Sequence, residues 1–190
     1  MRFRTLFGAL LMIGLFEAKA PSSQARNQSS KGEQTSFSVE QSIEPIKKQV
    51  PLPAELLDLL KKDTNALEAS VGCTERGGGP EVLQSSWFTA SEIHLASPDE
   101  VDLVILAANG CLNGANVGPF WVARKISQGY ALVLSSGGHD LQVLKTRTKG
   151  FRDIRTVTIS AGTVSITVYH FDGKAYQEFD SSSKPIGEKP

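Results

Sequence analysis

Apolar and polar positions change their spacing several times along the chain, and each change predicts a different element. Leu6 to Phe16 form an apolar run of eleven residues. From Pro21 to about Gln49 the residues are mostly Ser, Gln, Lys and Glu with no sustained periodicity, the composition of a flexible leader. After Pro53, a residue suited to a first helical turn, Leu56, Leu57 and Leu60 place one apolar stripe toward a core. This predicts a helix over Pro53 to Lys62, with Lys61 and Lys62 in its last turn, where positive charge meets the negative end of the helix dipole. A further turn of helix is expected over Asn65 to Ala69, before Gly72.

Beyond Gly79-Pro80 the pattern turns to short β-rich runs separated by turn residues. Trp87 to Leu95 alternates, with Trp87, Ile93 and Leu95 on one side and Glu92 and His94 on the other. Val101 to Ala108 is apolar on both faces apart from Asp102, as in a central strand covered on both sides. Strands follow at Phe120 to Arg124, Tyr130 to Ser135, Leu141 to Thr146, Ile154 to Ser160, Val164 to Phe171 and Lys174 to Phe179. Gly137-Gly138 with His139-Asp140 reads as one hairpin loop, and Asp172-Gly173 as a tight type I′ turn. The fold class is therefore mainly β, an antiparallel barrel- or propeller-like sheet of about eight short strands with one N-terminal α-helix, because closure leaves no open edges.

Charge and the first residues add an address. Arg2 and Arg4 precede the apolar run, and Ala18 and Ala20 follow it in an Ala-x-Ala arrangement, a secretory signal layout. The run spans about 16 Å as a helix, roughly half a bilayer core. Pro21 is a poor residue beside a bond that a protease must hold extended, so cleavage after residue 20 or after residue 25 both stay open. The domain reading is a signal over 1–25, a leader over 26–50, one globular domain over 51–180 and a flexible tail over 181–190. The whole chain balances 20 basic against 20 acidic residues. Removing the signal leaves 17 against 19, which excludes the clustered positive charge of a nucleic-acid protein. No membrane span is expected after signal cleavage. The sequon Asn27-Gln28-Ser29 is too short a match to carry weight.

Cys73 and Cys111 are the two cysteines, and in an oxidising compartment an even number fits one disulfide, with a catalytic thiol as the competing reading. Neither lies in a CxxC pattern. The histidines lack partners at metal-ligand spacing. His170 continues the Val164, Ile166 and Val168 face as a core-edge residue, and Glu92 with His94 would supply two ligands without a third. A hydrolase would use Ser135 or Ser136 with His139 and Asp140 or Asp153, but the text lacks the Gly-x-Ser-x-Gly elbow. Gly77-Gly78-Gly79-Pro80 is not a phosphate loop, since no Gly-Lys-Ser/Thr follows. Trp87, Trp121 and Tyr176 are candidates for an aromatic binding surface, with His139 in its Gly-rich loop beside them. Phe120 and Trp121 point to opposite faces of their strand, so one of them is a candidate for the outside.

Gly150-Phe151-Arg152-Asp153-Ile154 entering a strand, and Phe171-Asp172-Gly173-Lys174-Ala175-Tyr176 in the last hairpin, resemble a signature of small exported bacterial β-rich proteins of unknown function. Cys111, Gly114-Ala115-Asn116 and Phe120-Trp121 fit the same pattern, which covers roughly Trp87 to Phe179. The resemblance implies export and a β-rich fold. The Gly-Phe-x-Asp-Ile segment, and more weakly Val101-Asp102-Leu103-Val104, is also similar to the strand after the calcium loop of FG-GAP propeller repeats. Here the preceding Lys145 to Lys149 contain no carboxylate, which removes the calcium chemistry. Asp153 is left a structural role, accepting backbone N–H groups at the entry to its strand.

The functional expectation is an exported, periplasmic or secreted, non-catalytic β domain binding an envelope or extracellular protein or glycan, without cofactor or metal. An inhibitor of a cell-wall-degrading enzyme and a small secreted hydrolase built on residues 135–140 are the alternatives.

Overall fold

A computed structural model describes residues 32–40, 45–74, 77–115 and 117–187. Residues 1–25, read as a signal, the sequon Asn27-Gln28-Ser29 and Asn116 lie outside them. Ten strands form two antiparallel sheets of five, and two helices cover one of them. In chain order the elements are β1 (Ser36–Ser38), β2 (Gln49–Val50), α1 (Ala54–Leu60), α2 (Thr64–Ser70), β3 (Phe88–Ile93), β4 (Asp102–Ala107), β5 (Gly118–Ile126), β6 (Gly129–Gly138), β7 (Asp140–Thr148), β8 (Phe151–Ser160), β9 (Thr163–Phe171) and β10 (Tyr176–Pro185). The first sheet runs β2-β3-β4-β5-β6 and the second β1-β7-β8-β9-β10.

The first sheet is covered on both faces, and the sequence of β4 explains how. Val104 and Leu106 point into the core between the sheets, where they meet Phe120, Val122, Leu141, Ile154 and Phe171. Leu103, Ile105 and Ala107 point the other way and are buried under Leu56, Leu60 and Ala66 of the helices. Each large side chain taken fully from water in this way contributes about 1.5–3 kcal/mol. The helix expected from Pro53 is formed, with Pro53 just before its first turn and Leu56 and Leu60 on the buried stripe. It ends at Leu60, so Lys61 and Lys62 follow it instead of lying in its last turn. The expected turn at Asn65 to Ala69 is a second helix, α2. Cys73, just after it, is disulfide-bonded to Cys111 in a short 3₁₀ turn after β4, which ties the helical layer to the sheet.

The closed sheet expected from the strand count is not formed. The described strands make two open sheets packed face to face, with no closed barrel and no ring of blades among them. The reason lies at Gly138-His139. The Gly-rich text does not make a hairpin, because β6 pairs with β5 while β7 pairs with β1 and β8. His139 alone separates β6 from β7, and the chain passes from one sheet to the other there. Its N–H donates to Val157 O at 2.6 Å and its carbonyl accepts from Val39 N at 3.0 Å. A Cβ on Gly138 would lie 2.9 Å from Val157 O, so the corner requires glycine.

Segments read as flexible at the two ends contribute strands. Within the leader, β1 pairs with β7 and its Phe37 is fully buried, and β2 pairs with β3. At the other end β10 continues to Pro185. The expected type I′ turn at Asp172-Gly173 is a four-residue loop, since Phe171 lies opposite Tyr176. Asp172 Oδ1 accepts from Lys174 N at 2.7 Å and Ala175 N at 2.8 Å, bonds that hold this carboxyl below its ordinary range. Two-residue turns with both residues at positive φ occur instead at Lys149-Gly150 and Ala161-Gly162.

Candidate functional site

The aromatic candidates are set mainly into the interior. Phe120 and Trp121 do point to opposite faces of β5, but both faces are covered, and both are fully buried. Trp121 packs edge-on against Phe88 and its indole N–H donates to Asp63 Oδ1 at 2.8 Å. Tyr176 is 5% exposed and its hydroxyl donates to Arg152 O at 2.6 Å. Burial and the carboxylates of Asp102 and Asp153 hold its phenol well above the ordinary tyrosine range. Trp87 precedes β3 in a 3₁₀ turn and rests, half-buried, on the helix-side core, not on the inter-sheet side of Ile93 and Leu95. The four residues do not converge. His139 stands at the sheet corner, with Nδ1 3.2 Å from Asp140 Oδ1 and Nε2 3.7 Å from Glu40 Oε1.

The serines are engaged elsewhere. Ser135 faces the helices, where it donates to Asp63 Oδ1 at 3.0 Å and accepts from Asn65 Nδ2 at 2.9 Å. Ser136, on the opposite face of β6, is 2.8 Å from the Tyr169 hydroxyl. Asp63 is the residue that sequence reading missed. Its Oδ1 caps α2 through Ala66 N at 3.0 Å while also accepting from Trp121 and Ser135, so one carboxylate fixes a helix to two strands. The text Asp63-Thr64 before an apolar helix is a capping signal, but nothing local announces the strand partners.

The Gly-Phe-Arg-Asp-Ile segment has a framework role in which Arg152 is central. Its guanidinium donates to Val143 O, Leu144 O and Glu33 Oε2, each at 2.8–2.9 Å. Nearby, Asp102 is almost wholly buried and burial raises its carboxyl above the ordinary value. It accepts from Leu95 N and Lys125 N and lies 4.0 Å from Arg124 Nε. The Arg124 guanidinium stacks 4.1 Å from the Phe151 ring.

Asp153 does not accept the backbone bonds expected of it. Its Oδ1 has no hydrogen-bond partner, and Oδ2 lies 3.9 Å from His170 Nε2. His170 sits on the outer face of the second sheet, stacked 3.9 Å from Phe179. His94 Nδ1 is 2.8 Å from Glu100 O, beyond the end of β3, and no group of three or more His, Cys, Asp or Glu among the described residues is placed to hold a metal ion.

The outer face of the second sheet carries a row of aliphatic side chains. Tyr169 and Phe171 point toward the core, so Val164, Ile166 and Val168, which alternate with them along β9, point away. Val157 and Ile159 of β8 lie opposite Ile166 and Val164. All five are only half-buried, and Phe179 at the sheet edge is 68% exposed. No helix among the described residues is long and apolar enough to cross a membrane. Comparison with known proteins finds no matching family model, no matching curated protein and no matching solved structure.

Proposed function

We propose that the chain is an exported, non-catalytic β domain that binds an envelope or extracellular partner through the outer face of its second sheet. The observation that carries this reading is the row of half-exposed aliphatic side chains centred on Ile166, flanked by Phe179 and His170. The other face of that sheet is committed to the core, and the candidate aromatics are set inside, so the outer face is where contact area remains. The Cys73–Cys111 disulfide supports export, since such bonds persist in oxidising compartments. The signal layout supports the same address.

The test is affinity capture from the envelope and extracellular fractions of the producing cell, with the mature protein and an Ile166→Asp variant as baits. Circular dichroism establishes that both baits are folded. The expected result is saturable capture of one protein or glycan by the parent and its loss in the variant. Equal capture by both baits would remove the outer face from the reading, and turnover by the purified protein would end the non-catalytic assignment.

A further inference from the structure

The second sheet ends in an open edge. Among the described residues β10 pairs with β9 on one side and with no strand on the other, and every residue from Gln177 to Pro185 is exposed. Its register shifts once, between Glu178 and Asp180, and then runs unbroken from Asp180 opposite Val168 to Pro185 opposite Thr163. Pro185 marks the other end, because a proline cannot donate to a further ladder. Between the two lies Asp180-Ser181-Ser182-Ser183-Lys184, a stretch symmetric about Ser182 in everything but charge.

We propose that this edge pairs with the same edge of a second copy, antiparallel about a two-fold axis at Ser182. Such an axis places Asp180 of each copy directly opposite Lys184 of the other, so the contact contains two opposite-charge cross-strand pairs. Asp180 and Lys184 share a face, the outer one, because they lie opposite Val168 and Val164. Moving the axis to Ser181 sets Asp180 against Ser182, moving it to Ser183 sets Lys184 against Ser182, and either move loses both Asp180–Lys184 pairs. The pairing joins the two second sheets into one of ten strands and makes a single aliphatic surface from two rows. The assembly closes at two copies, since the opposite edge of the sheet is the three-residue β1 and offers no matching stretch.

The experiment is sedimentation equilibrium of the protein as the cell makes it, over a range of concentrations, alongside Asp180→Lys, Lys184→Asp and the double exchange. All three changes are on exposed positions, and circular dichroism checks that each variant is folded. The parent is expected to self-associate to a dimer. Each single reversal sets like charges opposite one another twice and weakens dimerisation roughly tenfold or more, and the double exchange restores it. A monomer at all concentrations, a dimer indifferent to both single reversals, or a double exchange that fails to recover would each overturn the proposal. The envelope-capture result is separate: a monomer can still capture a partner by its outer face, and a dimer can form without one.

Discussion

Replacing Asp63 by alanine removes the one oxygen that Ala66 N, Trp121 Nε1 and Ser135 Oγ all reach, at 2.8–3.0 Å. Loss of the helix cap costs about 1 kcal/mol. The Trp121 indole is fully buried, so its N–H would be left without a partner or water, a further cost of about 1–3 kcal/mol. The expected destabilisation is therefore about 2–4 kcal/mol, large against the usual stability of a single domain. Urea unfolding followed by circular dichroism, with the disulfide kept oxidised, reads it directly. The sharper assay adds Trp121→Phe and the double variant. Phenylalanine has no N–H to strand, so Asp63→Ala should cost about 1–3 kcal/mol less in that background than in the parent. If Asp63→Ala costs the same in both backgrounds to within about 0.5 kcal/mol, the indole bond is not what fastens the helix to the sheet.

Two further outcomes follow, one from the disulfide and one from a buried carboxyl. Changing Cys73 and Cys111 together to serine frees a loop with a separation of 38 residues and should lower stability by up to about 4 kcal/mol. An unfolding midpoint that is unmoved would contradict the tie between α2 and β4. For Asp102, burial raises the folded carboxyl above its ordinary value of 3.8, so between the unfolded and folded values the native state holds more proton than the unfolded chain. Stability attributable to this group therefore falls as pH rises from about 4 through the raised folded value. Asp102→Asn should flatten that fall in urea midpoints taken across acidic pH, and identical slopes in parent and variant would refute the assignment.

The parts of the fold that were legible are those whose cause is local. The apolar text of β4 after Asp102 announced a strand covered on both faces, and Leu56 with Leu60 announced the stripe of α1. The closing of the sheet was misjudged because nothing in Gly137-Gly138-His139 states which neighbour each flanking strand will take. That choice depends on Val157 and Val39, far away in sequence. The same limit governs the site. Alternation correctly separated Phe120 from Trp121, but exposure depends on what covers each face, and the helices cover the face that Trp121 takes. Asp63 could be read as a cap, whereas its bonds to Trp121 and Ser135 exist only once the layers have packed. Phe37 was hidden within polar text whose average character outweighed one anchoring residue.

The strand that holds Phe37 has a consequence in time. From β3 to β10, successive strands within each sheet are neighbours in sequence, so hairpins can form as the chain is delivered. β1 is different, for Phe37 waits for Leu141, about a hundred residues further on. In a chain delivered from its N-terminus, the first strand to arrive cannot be placed until β7 exists. Until then Phe37 stays in water, open to proteases and chaperones while the whole of the first sheet is delivered.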